Sequence, residues 1–151
     1  HDGRMVQHGP VHEVFSKPAS PDVADILSVE SILPGELMAI ADGLANVKVG
    51  DVILHALAGD LPQETKNVFV CLRAEDVSLF ATDEHSGSPR NRLPAVVKDC
   101  HPEGPLVRVE LDCGFPLSAV LTSQGFEELA LTKGCCVTAS IKASKIHLIG
   151  R

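Results

Sequence analysis

The chain has 151 residues, enough for one ordinary domain or two small ones, and 44% of them are apolar, enough to bury a core in either arrangement. A net charge of −7, thirteen scattered basic residues and the lack of Trp and Tyr leave neither a basic stripe for nucleic acid or an anionic membrane nor aromatic platforms for stacking bases. No apolar run approaches the roughly eighteen residues that span a bilayer, so direct membrane insertion is not expected.

Gly9-Pro10 punctuates the first segment, and residues 12–16 and 20–27 are expected to form two short helices separated by the break at Lys17-Pro18. Ser20 before Pro21 is a good helix opening, since Ser can cap and Pro at the first helical position forfeits no needed N–H. From Val29 the texture changes to short runs of Val, Ile and Leu interrupted by Gly, Pro, Asp and Asn, the pattern of a β-barrel or sandwich. Strands are expected at 35–40, 45–49, 52–57 and 68–73, with turns at Asp42-Gly43 and Gly50-Asp51. The polar stretch 82–89 has no apolar periodicity and reads as a linker. A second set follows: strands at 95–100, 106–111 and 117–121, a helix over 123–130 with Ser123 as its cap, then strands at 137–142 and 146–148. The expected fold is mainly β.

The two sets look like copies. Leu33-Pro34 opens the first as Leu93-Pro94 opens the second, and the stretch from Val70 to Leu79 parallels that from Ser140 to Leu148. The offset is about sixty residues at the start and about sixty-nine at the end, so the second copy is longer by the length of its helix. The organisation expected is a helical segment (1–28), a first small barrel (29–81), a linker (82–89) and a second barrel (90–151). Cys71, Cys100, Cys113, Cys135 and Cys136 have neither CxxC spacing nor a His placed to complete a zinc site, which fits a reducing cytoplasm and assigns them no metal. No grouping of His, Asp, Ser or Cys has catalytic spacing, so no catalytic residue is named.

Two parts of the chain resemble known families. The string Asp2-Gly3-Arg4-Met5-Val6-Gln7-His8-Gly9-Pro10, with Glu13-Val14-Phe15, Pro18-Ala19-Ser20 and Val23-Ala24, resembles the end of the nucleotide-binding domain of ABC importer ATPases. The resemblance implies that an ATP-binding core lies upstream. No G-x-x-x-x-G-K-[ST] phosphate loop occurs in the sequence, so ATP belongs to that upstream part and hydrolysis is not expected here. Ser88-Pro89-Arg90-Asn91-Arg92-Leu93-Pro94, Leu121-Thr122-Ser123 and Ile141-Lys142-Ala143-Ser144 resemble the molybdate-binding Mop domain, a TOBE-type module also found in molbindins and molybdate-responsive repressors. That resemblance implies an OB-like five-stranded barrel, a homodimer through the barrels, and molybdate or tungstate at the shared interface. Carried over by position, it implies oxyanion binding by Ser88, Arg90, Asn91, Thr122, Lys142, Ala143 and Ser144, with no cofactor. Gly125 departs from the hydroxyl residue that some members carry near the helix start.

The residue types suit a tetrahedral dianion. Arg90 and Lys142 offer charge-assisted hydrogen bonds, hydroxyls complete the shell, and backbone N–H groups near Ser123 add donors. In the first copy Glu30 stands in the slot of Arg90 and Glu75 in that of Ser144, while Arg73 replaces Lys142. Two carboxylates would repel a dianion, so the first barrel is expected to be structural or dimer-forming. The resulting expectation is a cytoplasmic sensor at the inner face of the membrane, joined through the absent ATPase core to a permease. The alternative is a ligand-free dimerisation module of an importer for sulfate, iron, polyamine or sugar. A storage protein or transcription regulator lacks support, for the sequence shows no DNA-reading helix pair.

Overall fold

The computed structural model describes residues 2–62, 64–81 and 90–151. The expected linker 82–89, and with it Ser88, lies outside the described residues. Two short helices open the chain, α1 (Val11–Ser16) and α2 (Pro21–Ile26), at the expected places. The Ser20 hydroxyl oxygen accepts from the Val23 N–H at 3.3 Å, and Pro21 occupies the first turn, where its missing N–H has no intrahelical partner to lose. Gln7 ties down the break between them: its amide donates to the Lys17 carbonyl at 3.0 Å and accepts from the Ala19 N–H at 2.8 Å.

The rest is two antiparallel sheets. The first copy supplies β1 (Ser31–Ala41), β2 (Leu44–Val49), β3 (Val52–Leu57), β4 (Asn67–Leu72), a 3₁₀ turn η1 (Ala74–Asp76) and β5 (Ser78–Phe80). The second supplies β6 (Asn91–Glu103), β7 (Leu106–Asp112), β8 (Pro116–Thr122), α3 (Ser123–Glu128), β9 (Cys136–Ile141), a 3₁₀ turn η2 (Ala143–Lys145) and β10 (His147–Gly150). Period-two burial is plain in β6, where Asn91, Leu93, Ala95 and Val97 point inward and Pro94, Val96 and Lys98 outward. The β1–β2 hairpin turns on Asp42 and Gly43 with φ of 52° and 76°, a two-residue turn that matches the strand twist. Pro34 and Pro94 stand opposite Phe69 and Thr138, before β1 and β6 gain their second neighbours at Glu36 and Val96. Each strand there has one open side, which can take the position of the absent N–H.

The two sheets, each curled in the OB manner, do not coincide with the two sequence copies. Their strand orders are β10-β4-β1-β2-β3 and β5-β9-β6-β7-β8, so each copy gives its last strand to the other. His147 pairs with Cys71 and Ile149 with Phe69, while Ser78 pairs with Ser140 and Phe80 with Thr138. Nothing local reveals this exchange, because Val77-Ser78-Leu79 and Ile146-His147-Leu148 carry the same pattern and either can complete either sheet. One apolar core runs through both, from Val47, Leu54 and Val70 of the first copy to Val109, Ala139 and Ile141 of the second. A smaller cluster of Ala24, Val29, Cys71 and Ile149 seats the helical segment on β4 and β10.

The helix cap is corrected. Thr122, not Ser123, is the N-cap of α3: its hydroxyl oxygen accepts from the Gly125 N–H at 3.1 Å. The Ser123 hydroxyl instead donates to the Pro105 carbonyl at 3.1 Å, as does the Ser123 N–H at 3.0 Å. These two N–H groups of the helix start are therefore spent within the protein and do not add donors for a ligand.

Candidate functional site

Arg90 stands exposed immediately before β6, and Asn91 opens that strand opposite Ile141 of β9. Lys142 follows Ile141, and η2 then carries Ala143 and Ser144, so Arg90, Asn91, Lys142, Ala143 and Ser144 gather at one pair of strand ends. Lys142 and Ser144 are exposed and Ala143 is buried. The facing wall comes from the first copy, because β3 packs against η2. Thr122 is not part of this group. It ends β8 beside Leu106, at the far end of β6 from Asn91, and β8 packs against η1 instead. The packing of η2 on β3 and of η1 on β8 thus sets Thr122 apart from the other residues that the Mop resemblance implies as one site.

Asn91 is 2% exposed and its amide is fully engaged. Oδ1 accepts from the His55 N–H at 2.7 Å, and Nδ2 donates to the His55 carbonyl at 2.8 Å and to the Ile141 carbonyl at 3.2 Å. β3 is the edge strand of the first sheet, so this side chain serves it as a strand partner would and fixes β3 to the β6–β9 ladder. The His55 ring in turn meets Asn46 Oδ1 through Nδ1 at 2.8 Å.

The matching slots in the first copy have other employment. Glu30, in the slot of Arg90, accepts from the Ala74 N–H at 3.1 Å and pairs with Arg108 of β7 at 3.4 Å. Arg108 also holds Glu103 at 2.7 Å, and that hydrogen bond lowers the Glu103 pKa and raises that of Arg108. Arg73, in the slot of Lys142, donates to the carbonyls of Phe15 at 2.7 Å and Leu27 at 3.3 Å, so it binds the helical segment.

Sequence reasoning missed a cleft of about 560 Å³ between that segment and the two 3₁₀ turns. Lys17, Pro18, Arg73, Asp76, Ser144, Lys145 and His147 line it, together with apolar Phe15, Val29 and Leu57. Lys145 pairs with Asp76 at 2.8 Å, which raises the lysine pKa. His147 Nε2 meets the Pro18 carbonyl at 2.9 Å, and burial holds the His147 pKa below the ordinary imidazole value. The residues come from distant segments, and no spacing in the sequence signals their convergence. Burial pushes the thiols of Cys71 and Cys113 up to about 11 and about 12, while hydrogen bonds from Thr132 lower that of Cys135. Among the described residues no group of three or more His, Cys, Asp or Glu is placed to hold a metal ion, and no helix is long and apolar enough to cross a membrane.

Residues 87–148 match the TOBE domain. The chain is 38% identical over 148 residues to the molybdate/tungstate import ATP-binding protein WtpC of Pyrococcus horikoshii, covering 97% of this chain and 40% of that protein. It is 29% identical over 159 residues to the molybdenum import ATP-binding protein ModC of Rhodospirillum rubrum, covering 96% and 41% respectively. The chain therefore spans about two-fifths of the length of these relatives. Among solved structures, the cytoplasmic molybdate-binding protein ModG with molybdate bound aligns with a TM-score of 0.68 at 25% identity, over 82% of this chain and 98% of that one.

Proposed function

We propose that the chain, whose residues 87–148 match the TOBE domain and which is similar almost throughout to part of molybdate/tungstate import ATP-binding proteins, binds molybdate or tungstate at the joined ends of β6 and β9 and acts as an oxyanion-sensing, dimerising regulatory region. The observation that carries the reading is the convergence of Arg90 and Lys142 on η2, facing β3 of the other copy. A tetrahedral dianion there meets two cationic side chains and the hydroxyl of Ser144, with Ser88 upstream of Arg90 as a further donor. Asn91 serves by holding β3 in place, since its N–H groups are already given to carbonyls. Thr122 reaches such a site only from a second chain, which is the role a homodimer assigns it.

In the full-length protein, the upstream ATP-binding part contacts a membrane permease, which holds the assembly at the inner face of the cell membrane. Anion occupancy then biases the ATPase dimer against further import. Such control requires only that the anion prefer one domain arrangement. The rival reading, a ligand-free dimerisation module, draws support from the outward apolar side chains Met38, Ile40, Ile53 and Leu57 on β1 and β3 of the first sheet.

Calorimetric titration with molybdate, tungstate and sulfate at fixed salt separates the two. The two larger anions are expected to bind, with Arg90→Ala and Lys142→Ala each weakening affinity at least about tenfold, as loss of a hydrogen bond to a charged group of about 1.5–3 kcal/mol implies. No heat and no thermal stabilisation with any of the three anions overturns the sensor reading. Sedimentation without anion would then test the dimer alone.

A further inference from the structure

We infer that Lys17 closes over the oxyanion site, making the N-terminal helical segment the element that reports occupancy; this rests on the anion reading above. The break between α1 and α2 places Lys17 and Pro18 on one wall of the cleft whose other wall carries Ser144. Among the described residues, three polar contacts hold the segment there. Two are the carbonyls of Phe15 and Leu27 on the Arg73 guanidinium, and the third is the Pro18 carbonyl on His147. His147 begins β10 directly after η2, and the strand exchange lays β10 along β4, which leads into Arg73. All three contacts therefore depend on the strand pair that extends from the anion site itself.

Glu75 and Asp76 are the carboxylates lining the cleft, and among the described residues neither forms an ion pair with Lys17. Asp76 is satisfied by Lys145 at 2.8 Å, and Glu75 also acts on Lys145. Arg73 is spent on carbonyls. Lys17 makes no ion pair among the described residues, yet its charge acts on His147 across the same wall. A dianion held at Ser144 gives Lys17 its counter-charge only while the segment is docked, so occupancy favours the docked state. Reciprocity follows: docking must tighten the anion by the factor by which the anion tightens docking. Couplings of this kind begin at about fivefold.

The test is hydrogen exchange of the whole chain at matched ionic strength in sodium molybdate, sodium sulfate and sodium chloride, with calorimetric affinities for molybdate. Wild type should show exchange over residues 11–27 slowed about fivefold by molybdate and not by chloride. Lys17→Gln should lose that slowing and bind molybdate weaker by the same factor. Molybdate that binds wild type while leaving exchange over 11–27 unchanged overturns this inference and spares the anion site. So does a Lys17→Gln variant that keeps the full slowing. Absence of molybdate binding in wild type overturns both.

Discussion

Replacing Asn91 by Ala tests how the two copies are joined. The side chain is 2% exposed and makes hydrogen bonds of 2.7, 2.8 and 3.2 Å to the His55 N–H, the His55 carbonyl and the Ile141 carbonyl. Each bond contributes about 1 kcal/mol net, and a stranded partner costs about 1–3 kcal/mol where water cannot replace the amide. His55 lies at the sheet edge and is only half-buried, so water recovers part of that loss. The expected destabilisation is about 3 kcal/mol, or a fall in Tm of about 6–12 °C for a chain of this size. Urea and thermal unfolding measure it, and Asn91→Asp provides the control. The carboxylate keeps the acceptor for the His55 N–H but sets a charge against two carbonyls, so at neutral pH it should be at least as harmful as Ala. An Asn91→Ala variant within about 0.5 kcal/mol of wild type, the range of an ordinary surface change, would refute the edge-partner role.

Arg73→Lys should not rescue what Arg73→Ala removes, because an ammonium lacks the planar fork that reaches both the Phe15 and Leu27 carbonyls; both variants should speed exchange and proteolysis over residues 11–27. Gly35→Ala should cost about 1–3 kcal/mol in urea unfolding, since an added Cβ would lie 2.6 Å from Val47 Cγ1 and 3.3 Å from Val70 Cγ2, both on fully buried residues. His147 gives a pH signature. Its folded pKa lies below the ordinary value of about 6.5, so the unfolded chain binds the proton more readily. Its contribution is full above about pH 6.5 and is lost as pH falls through the folded value. His147→Gln should remove that part of the slope in a stability profile from pH 8 to pH 5, and an unchanged profile would show that His147 does not carry it.

The elements were legible where a local pattern decides them. Val52–Leu57 was read to the residue, the Asp42-Gly43 turn showed as a dipeptide, and Ser20-Pro21 marked the start of α2, because alternation, positive φ and capping are settled within a few residues. The grouping of Arg90 and Asn91 with Lys142, Ala143 and Ser144 was implied by the Mop-domain resemblance alone, and the Asn91–Ile141 pairing brings those strand ends together. The fate of Thr122 was not legible, since it depends on which copy's 3₁₀ turn packs on β8, and the two turns are alike in sequence pattern.

The sequence by itself determined two β-rich strand sets of like pattern, preceded by two short helices. Only the tertiary structure decided that the copies exchange their last strands, that Asn91 closes the edge of β3, and that Arg73 and His147 grip the helical segment. The reason is physical. Strand identity and turn geometry follow from side-chain alternation and φ, which are local, whereas the choice between two nearly equivalent partners for β5 and β10 depends on the packing of the whole shared core.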